Sequence, residues 1–257
     1  MKRLGVIAGC LVAAAGVAVA GYVKTSLSIA STYKTQCSVE PKNQNYIVGV
    51  IGDSWIAGGK LDDGLIKGIS SRGIGAVVKS SGYPGARSKL IYENFEQWMN
   101  WIETAYSDLR TVYVIEGGIN DSLAYVGKDF YVQHMKLAVG AALACGGKAV
   151  VLSIPAYDRS KMQRSAFTNF RWAVYRWLSN DDIGDNAEDY NESLAKELSP
   201  LIAEGQVKII DLRAVLPSDA FVKSSNDGVH LTPKAYDAMA VRVGQEIADF
   251  IRSEEIR

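Results

Sequence analysis

Histidine is scarce in this sequence: His134 and His230 are the only two among 257 residues. A histidine-rich metal centre is thereby excluded, and any imidazole chemistry has two carriers to choose from. Cysteine is scarce too. Cys10, Cys37 and Cys145 show neither C-x-x-C nor zinc-ligand spacing. There is no surplus of either charge, since 28 basic residues balance 28 acidic ones. The basic surface on which nucleic-acid binding depends is therefore missing. No G-x-x-x-x-G-K-[ST] phosphate loop occurs, because Gly59-Lys60, Gly127-Lys128 and Gly147-Lys148 are followed by Leu, Asp and Ala. No G-x-G-x-x-G follows the first strand-like run, which argues against a dinucleotide fold. The G-x-S-x-G elbow of the usual α/β-hydrolases and the H-E-x-x-H of zinc proteases are absent as well. Asp181, Asp182, Asp185, Glu188 and Asp189 lack EF-hand spacing and read as a solvated acidic loop rather than a calcium site.

What is present begins with an export signal. Lys2-Arg3 precedes an uncharged stretch, Leu4 to Val23, which contains Ala18-Val19-Ala20 as an A-x-A cleavage site. Two readings stand open: a cleaved signal peptide, or an uncleaved signal anchor, since ~20 apolar residues span a bilayer. Ile7-Ala8-Gly9-Cys10 also resembles a lipoprotein box, but too few apolar residues precede it. Each reading exports the rest of the chain to a periplasmic or extracellular location, and the anchor reading attaches it to a membrane through residues 4–23. The organisation is then 1–23 as signal peptide or signal anchor, 24–44 as a polar tether, and 45–257 as one domain. After export Cys37 and Cys145 either pair or remain two separate thiols.

The hydrophobic fraction of 48% against 22% charged residues suits a globular domain. Tyr46 to Ile51 is a continuous apolar run, as expected of a strand covered on both faces. Similar runs are Gly75–Lys79, Thr111–Ile115, Lys148–Ser153 and Val207–Ile210. Helical patterns lie between them, at about Asp62–Ser71, Ser88–Tyr106, Asp129–Cys145 and Ala187–Ala203. A last helix begins with Thr232 as N-cap and Pro233 in the first turn, and places Tyr236, Met239, Ala240, Val243, Ile247, Phe250 and Ile251 on one face. Strands alternating with helices predict an α/β fold, a three-layer α/β/α sandwich around a mostly parallel five-stranded sheet. Functional groups in such a fold gather at the carboxyl ends of the strands.

Four segments at those ends carry chemistry. Gly52-Asp53-Ser54-Trp55 presents a serine hydroxyl after the first strand. Ser81-Gly82-Tyr83-Pro84-Gly85-Ala86 supplies glycines that let a backbone N–H approach a ligand. Glu116-Gly117-Gly118-Ile119-Asn120-Asp121 offers an amide able to donate to an oxyanion. Asn226-Asp227-Gly228-Val229-His230-Leu231-Thr232 lets a carboxylate fold back onto an imidazole. Each segment taken alone is an ordinary turn. Together, in this order, they resemble the SGNH hydrolases, the GDSL esterase/lipase superfamily, over about Tyr46 to Ile251. The resemblance implies that Ser54 is the nucleophile, His230 its base and Asp227 the acid. It implies an oxyanion hole made of the Ser54 N–H, the Gly85 N–H and the Asn120 amide, with Gly82 a rival for the glycine. It also implies that no metal or organic cofactor takes part.

The aromatic segment Pro155 to Asn180 is the expected place for substrate recognition. Met162, Ala166, Phe167, Phe170, Val174, Trp177 and Leu178 are expected to form the buried face of a helix, with Arg164, Arg171 and Tyr175 on another face. Trp55, Tyr157, Arg164 and Arg171 are the candidate substrate contacts. The expected activity is hydrolysis of an acyl ester, acetyl included, on a small molecule or on an envelope or extracellular glycan. Glycan O-acyl transfer, lysophospholipase or thioesterase action, and a non-catalytic glycan-binding role are the alternatives.

Overall fold

The computed structural model describes residues 45–179, 187–216 and 218–255. Residues 1–44 lie outside them, and with them the signal, the tether and Cys37. Among the described residues no helix is long and apolar enough to cross a membrane.

Five strands form one parallel sheet: β1 (Tyr46–Gly52), β2 (Ala76–Gly82), β3 (Arg110–Glu116), β4 (Lys148–Leu152) and β5 (Val207–Ile210), in the spatial order β2-β1-β3-β4-β5. β1 is buried along its whole length, as its unbroken apolar run requires. Val48 pairs with Val78 on one side and with Val112 on the other.

Connections set the layers. The β1-to-β2 crossover runs through α1 (Asp62–Ser71), whereas the crossovers through α2 (Ser88–Ala105), α4 (Lys128–Ala144) and α6 (Ala187–Ala203) travel the opposite way along the sheet. Right-handed connections then place α1 on one face and the other three on the second. The last helix, α9 (Pro233–Glu255), packs on α1. All seven residues expected on its inner face are buried. The predicted three-layer sandwich is the observed one, with every strand parallel. The chain reverses direction across the sheet at β1, so β1 and β3 flank a switch point, where open α/β sheets form their clefts.

Four short elements carry no sequence period and were not expected: α3 (Ile119–Ala124), α7 (Leu212–Val215), α8 (Ser218–Ser224) and a 3₁₀ turn at Arg159–Lys161.

The helix in the aromatic segment, α5 (Ala166–Ser179), is turned the other way from expectation. Tyr175 is fully buried, whereas Phe167, Phe170 and Trp177 are 71%, 59% and 80% exposed. Tyr175 joins Ala124, Val126 and Phe130 in a small apolar cluster beside α4, with Trp172 packed against it. The Arg87 guanidinium lies over the Tyr175 ring at 4.5 Å. These two aromatic anchors, and not the Phe/Trp stripe, fix the rotation of α5.

Candidate active site

The strand-to-helix turn after β1 raises Ser54 to the sheet's carboxyl edge. The Asp53 carbonyl accepts from the amides of Ile56 and Ala57, and Asp53 Oδ1 accepts from Trp55 N at 2.9 Å. This tight turn leaves the Ser54 side chain half-exposed, facing the loop that leads to α9.

That loop holds Asp227 and His230. Gly228, between them, has φ +79°, and a Cβ there would stand 2.1 Å from the Asp158 carbonyl oxygen. Only glycine meets both demands. The Gly228 carbonyl accepts from Asp158 N at 2.7 Å, which fastens the loop to the one after β4. Asp227 Oδ1 accepts from the amides of Val229 at 2.9 Å and His230 at 2.6 Å. Its Oδ2 lies 2.7 Å from His230 Nδ1, and His230 Nε2 lies 2.8 Å from Ser54 Oγ. Partial burial works to raise the Asp227 pKa. The hydrogen bonds from the imidazole and the two amides outweigh it and bring the carboxyl down to about 2. An ionised Asp227 favours the tautomer with the proton on Nδ1, leaving Nε2 free to accept the serine proton.

Asn120 reaches the same corner from the first turn of α3. Gly118 precedes that helix with φ +107°, and a Cβ on it would collide with Tyr131 and Ile154. Asn120 Nδ2 donates to Asp53 Oδ2 at 2.7 Å and to the Ala86 carbonyl at 2.9 Å, so both of its hydrogens are engaged. The second bond puts Asn120 against the Gly85-Ala86 peptide. Gly85 is exposed with φ +75°, and no described residue accepts from its amide or from that of Ser54. Gly82, by contrast, ends β2 with the Ala57 backbone directly against its Cα. Its position serves packing between β2 and the serine turn.

Beneath these groups lie three fully buried carboxyls that motif reading left unassigned. Asp53, Glu116 and Asp121 are each no more than 1% exposed. The Asp53 amide donates to Glu116 Oε2 at 2.9 Å. Burial raises the Glu116 pKa well above the usual range, and the Asp53 charge pushes it further. Burial raises Asp53 as well, opposed by the bond from the Trp55 amide. Two carboxyls so close cannot both ionise, and Glu116 is the one that keeps its proton. Asp121 accepts from Ser88 N at 2.9 Å and Ser88 Oγ at 2.7 Å, tying the asparagine turn to the start of α2. Their signal in the sequence was their place beside strand ends; nothing in composition revealed their burial.

The other histidine is remote in kind. His134 is fully buried in α4, with Nδ1 2.7 Å from the Phe130 carbonyl and its ring 4.4 Å from the Phe130 ring. Among the described residues no group of His, Cys, Asp and Glu is arranged to hold a metal ion.

The expected substrate contacts are dispersed. Trp55 does not face the cleft: it is fully buried, edge-on to Tyr236 at 5.4 Å. The bond from its amide to Asp53 folds the turn so that the indole enters the core under α9. Tyr157 is half-buried, its hydroxyl 2.6 Å from Ser122 Oγ and 3.1 Å from Arg159 Nη2. Arg164 stacks over Trp172 at 4.8 Å. Arg171 is half-buried, with its Nε shielded from solvent and bonded to no described group. A hollow of about 350 Å³ adjoins Asp227 and His230, lined also by Lys161, Met162, Gln163, Asn226 and Val229. A hollow of about 420 Å³ at the amino ends of the strands, around Arg110 and Lys148, is larger but lies at the opposite edge of the sheet from the serine.

Residues 50–238 match the model of the GDSL-like lipase/acylhydrolase family. No curated protein matches the chain. Among solved structures, the lipase/acylhydrolase from Enterococcus faecalis is 16% identical with a TM-score of 0.56, over 80% of this chain and 96% of that one. TesA is 17% identical with a TM-score of 0.53, over 79% of this chain and 99% of that one. These likenesses concern the fold, whereas the family match spans the serine turn, the asparagine turn and the histidine loop alike. The chain belongs to the GDSL-like lipase/acylhydrolase family and is a serine ester hydrolase.

Proposed function

We propose that the protein is an exported esterase that removes short acyl groups, acetyl above all, from an envelope or extracellular glycan, using Ser54, His230 and Asp227. The carrying observation is the continuous path from Ser54 Oγ through both ring nitrogens of His230 to Asp227, with contacts of 2.8 and 2.7 Å. Ser54 Oγ attacks the ester carbonyl carbon while His230 Nε2 takes the hydroxyl proton. The oxyanion is held by the amides of Ser54 and Gly85 and by Asn120, which releases the Ala86 carbonyl to do so. Collapse expels the alcohol, which receives the proton from His230. Water then attacks the acyl-serine, giving its proton to His230, and the carboxylic acid departs.

The hollow beside His230 supports a short acyl group and a polar alcohol. Lys161, Gln163 and Asn226 contribute polar walls, and the space is open to solvent. Export rests on the Lys2-Arg3 start and the uncharged run that follows.

The test is an ester panel on the full chain, acetylated sugars against acyl chains of rising length, with Ser54→Ala as control. Acetyl esters should be turned over fastest, and Ser54→Ala should lose both activity and labelling by an active-site phosphonate. A preference for long chains would overturn the short-acyl assignment. Phosphonate labelling of Ser54→Ala would overturn the nucleophile.

A further inference from the structure

The outward face of α5 is apolar. Ala166, Phe170, Ala173 and Trp177 follow one another at intervals of four, three and four residues, which places them on one side of a helix. All four are exposed, and Phe167 flanks them. Side chains this large stand in water at a cost unless something covers them. Nothing in the catalytic arrangement uses them.

The segment that carries this face is basic. From Arg159 to Asn180 the sequence contains Arg159, Lys161, Arg164, Arg171 and Arg176 and no acidic residue, in a chain whose net charge is zero. Acidic residues resume only at Asp181. Exposed Phe and Trp beside clustered Arg and Lys match the composition of helices that lie in the headgroup region of a bilayer. The chain outside the described residues points the same way. Its uncharged run Leu4–Val23 has the length of a membrane span, and residues 24–44 are long enough to let the domain fold back onto the same surface. A second copy of the chain suits the face poorly, because a two-fold contact would bring this basic segment close to its own duplicate. The chain's own amino-terminal run is flanked by Lys2, Arg3 and Lys24, again of like charge.

We infer that α5 is an interfacial membrane contact: its Phe167, Phe170 and Trp177 face seats in a phospholipid surface bearing anionic headgroups, and the neighbouring arginines meet those headgroups. This contact is independent of the esterase assignment, and its test does not read activity.

The full chain is mixed with vesicles of phosphatidylcholine and phosphatidylglycerol that carry brominated acyl chains, and tryptophan fluorescence is recorded. The Trp177 contribution is the difference between the wild type and Trp177→Phe. It should be strongly quenched. It should weaken roughly twofold or more in pure phosphatidylcholine or in 0.5 M salt, because the attraction to anionic lipid is lost or screened. Phe167→Ser with Phe170→Ser should withdraw Trp177 from the bromines while leaving the circular dichroism spectrum unchanged. Absence of any Trp177-dependent quenching would overturn the inference. So would protection of Trp177 from acrylamide in protein free of both vesicles and detergent, because the face would then be covered by protein, whether a second copy or the chain's own amino-terminal run.

Discussion

Replacing Asp53 by asparagine isolates the group that aims Asn120. The buried Asp53 carboxylate accepts from Asn120 Nδ2 at 2.7 Å through Oδ2 and from Trp55 N at 2.9 Å through Oδ1. An asparagine at 53 keeps a carbonyl oxygen for the Trp55 amide, so the serine turn survives. Its NH₂ then faces the NH₂ of Asn120, and the charge-assisted bond is lost. Such a bond contributes about 1.5–3 kcal/mol, and about 1.4 kcal/mol is a factor of ten in rate. The Asp53 side of the bond is fully buried and the Asn120 side partly so, which leaves little solvent screening. Asp53→Asn should therefore lower kcat roughly ten- to hundredfold, with KM little changed, because the role proposed for Asn120 is at the oxyanion rather than in ground-state binding. The decisive assay is a double-mutant cycle on a chromogenic acetyl ester. Asn120→Ala alone should cost about 10²–10³ in kcat. Adding Asp53→Asn to it should cost little more, since Asp53 acts through the amide already removed. Independent, multiplying losses would show that Asp53 acts elsewhere and would refute the reasoning.

His134→Gln should leave the esterase pH profile unchanged while altering stability. Burial holds the His134 pKa down at about 4, below the unfolded reference of about 6.5. The unfolded chain thus binds the extra proton first, and the wild type should lose up to about 3 kcal/mol as pH falls from about 6.5 to 4; urea melts of the glutamine variant should show a shallower decline across that window. Gly228→Ala should lower both the melting temperature and kcat, because φ +79° is unfavourable for alanine and its Cβ has no room beside the Asp158 carbonyl; unchanged values of both would mean that the histidine loop is not held by this contact.

The strands and the long helices were legible because each buries a face set by its own period. β1 declared itself through six consecutive apolar residues, and α9 through seven apolar positions that are all buried. Ser54, Asp227 and His230 were legible for a different reason. The serine sits at a strand end, and Asp227 and His230 lie three residues apart, so the bond between them is local. What stayed hidden depended on contacts between distant segments. Period alone says that α5 has two unlike faces, not which one turns inward; Tyr175 and Trp172 decide that by meeting the cluster around Phe130, which lies some forty residues earlier. Trp55 beside the serine has the look of a cleft residue until the Asp53 bond folds it into the core.

The carboxyl corner shows how the short motif around the serine depends on a residue of another strand. Ile51 pairs with Ile115, so the chain just past β1 runs beside Glu116 at the end of β3. Gly52 has no side chain there, and a Cβ would lie 2.4 Å from Glu116 Oε2. The glycine therefore makes the space in which Glu116 accepts the Asp53 amide at 2.9 Å. Once two carboxyls share that space, their repulsion and burial force one proton to stay, and it stays on Glu116. One negative charge remains, on Asp53, and it does what a neutral side chain would do less well: it fixes the Asn120 amide beside Ser54. Glycine, aspartate and serine in a row thus have separable reasons: room for a protonated neighbour, a single buried charge, and the hydroxyl proposed to attack.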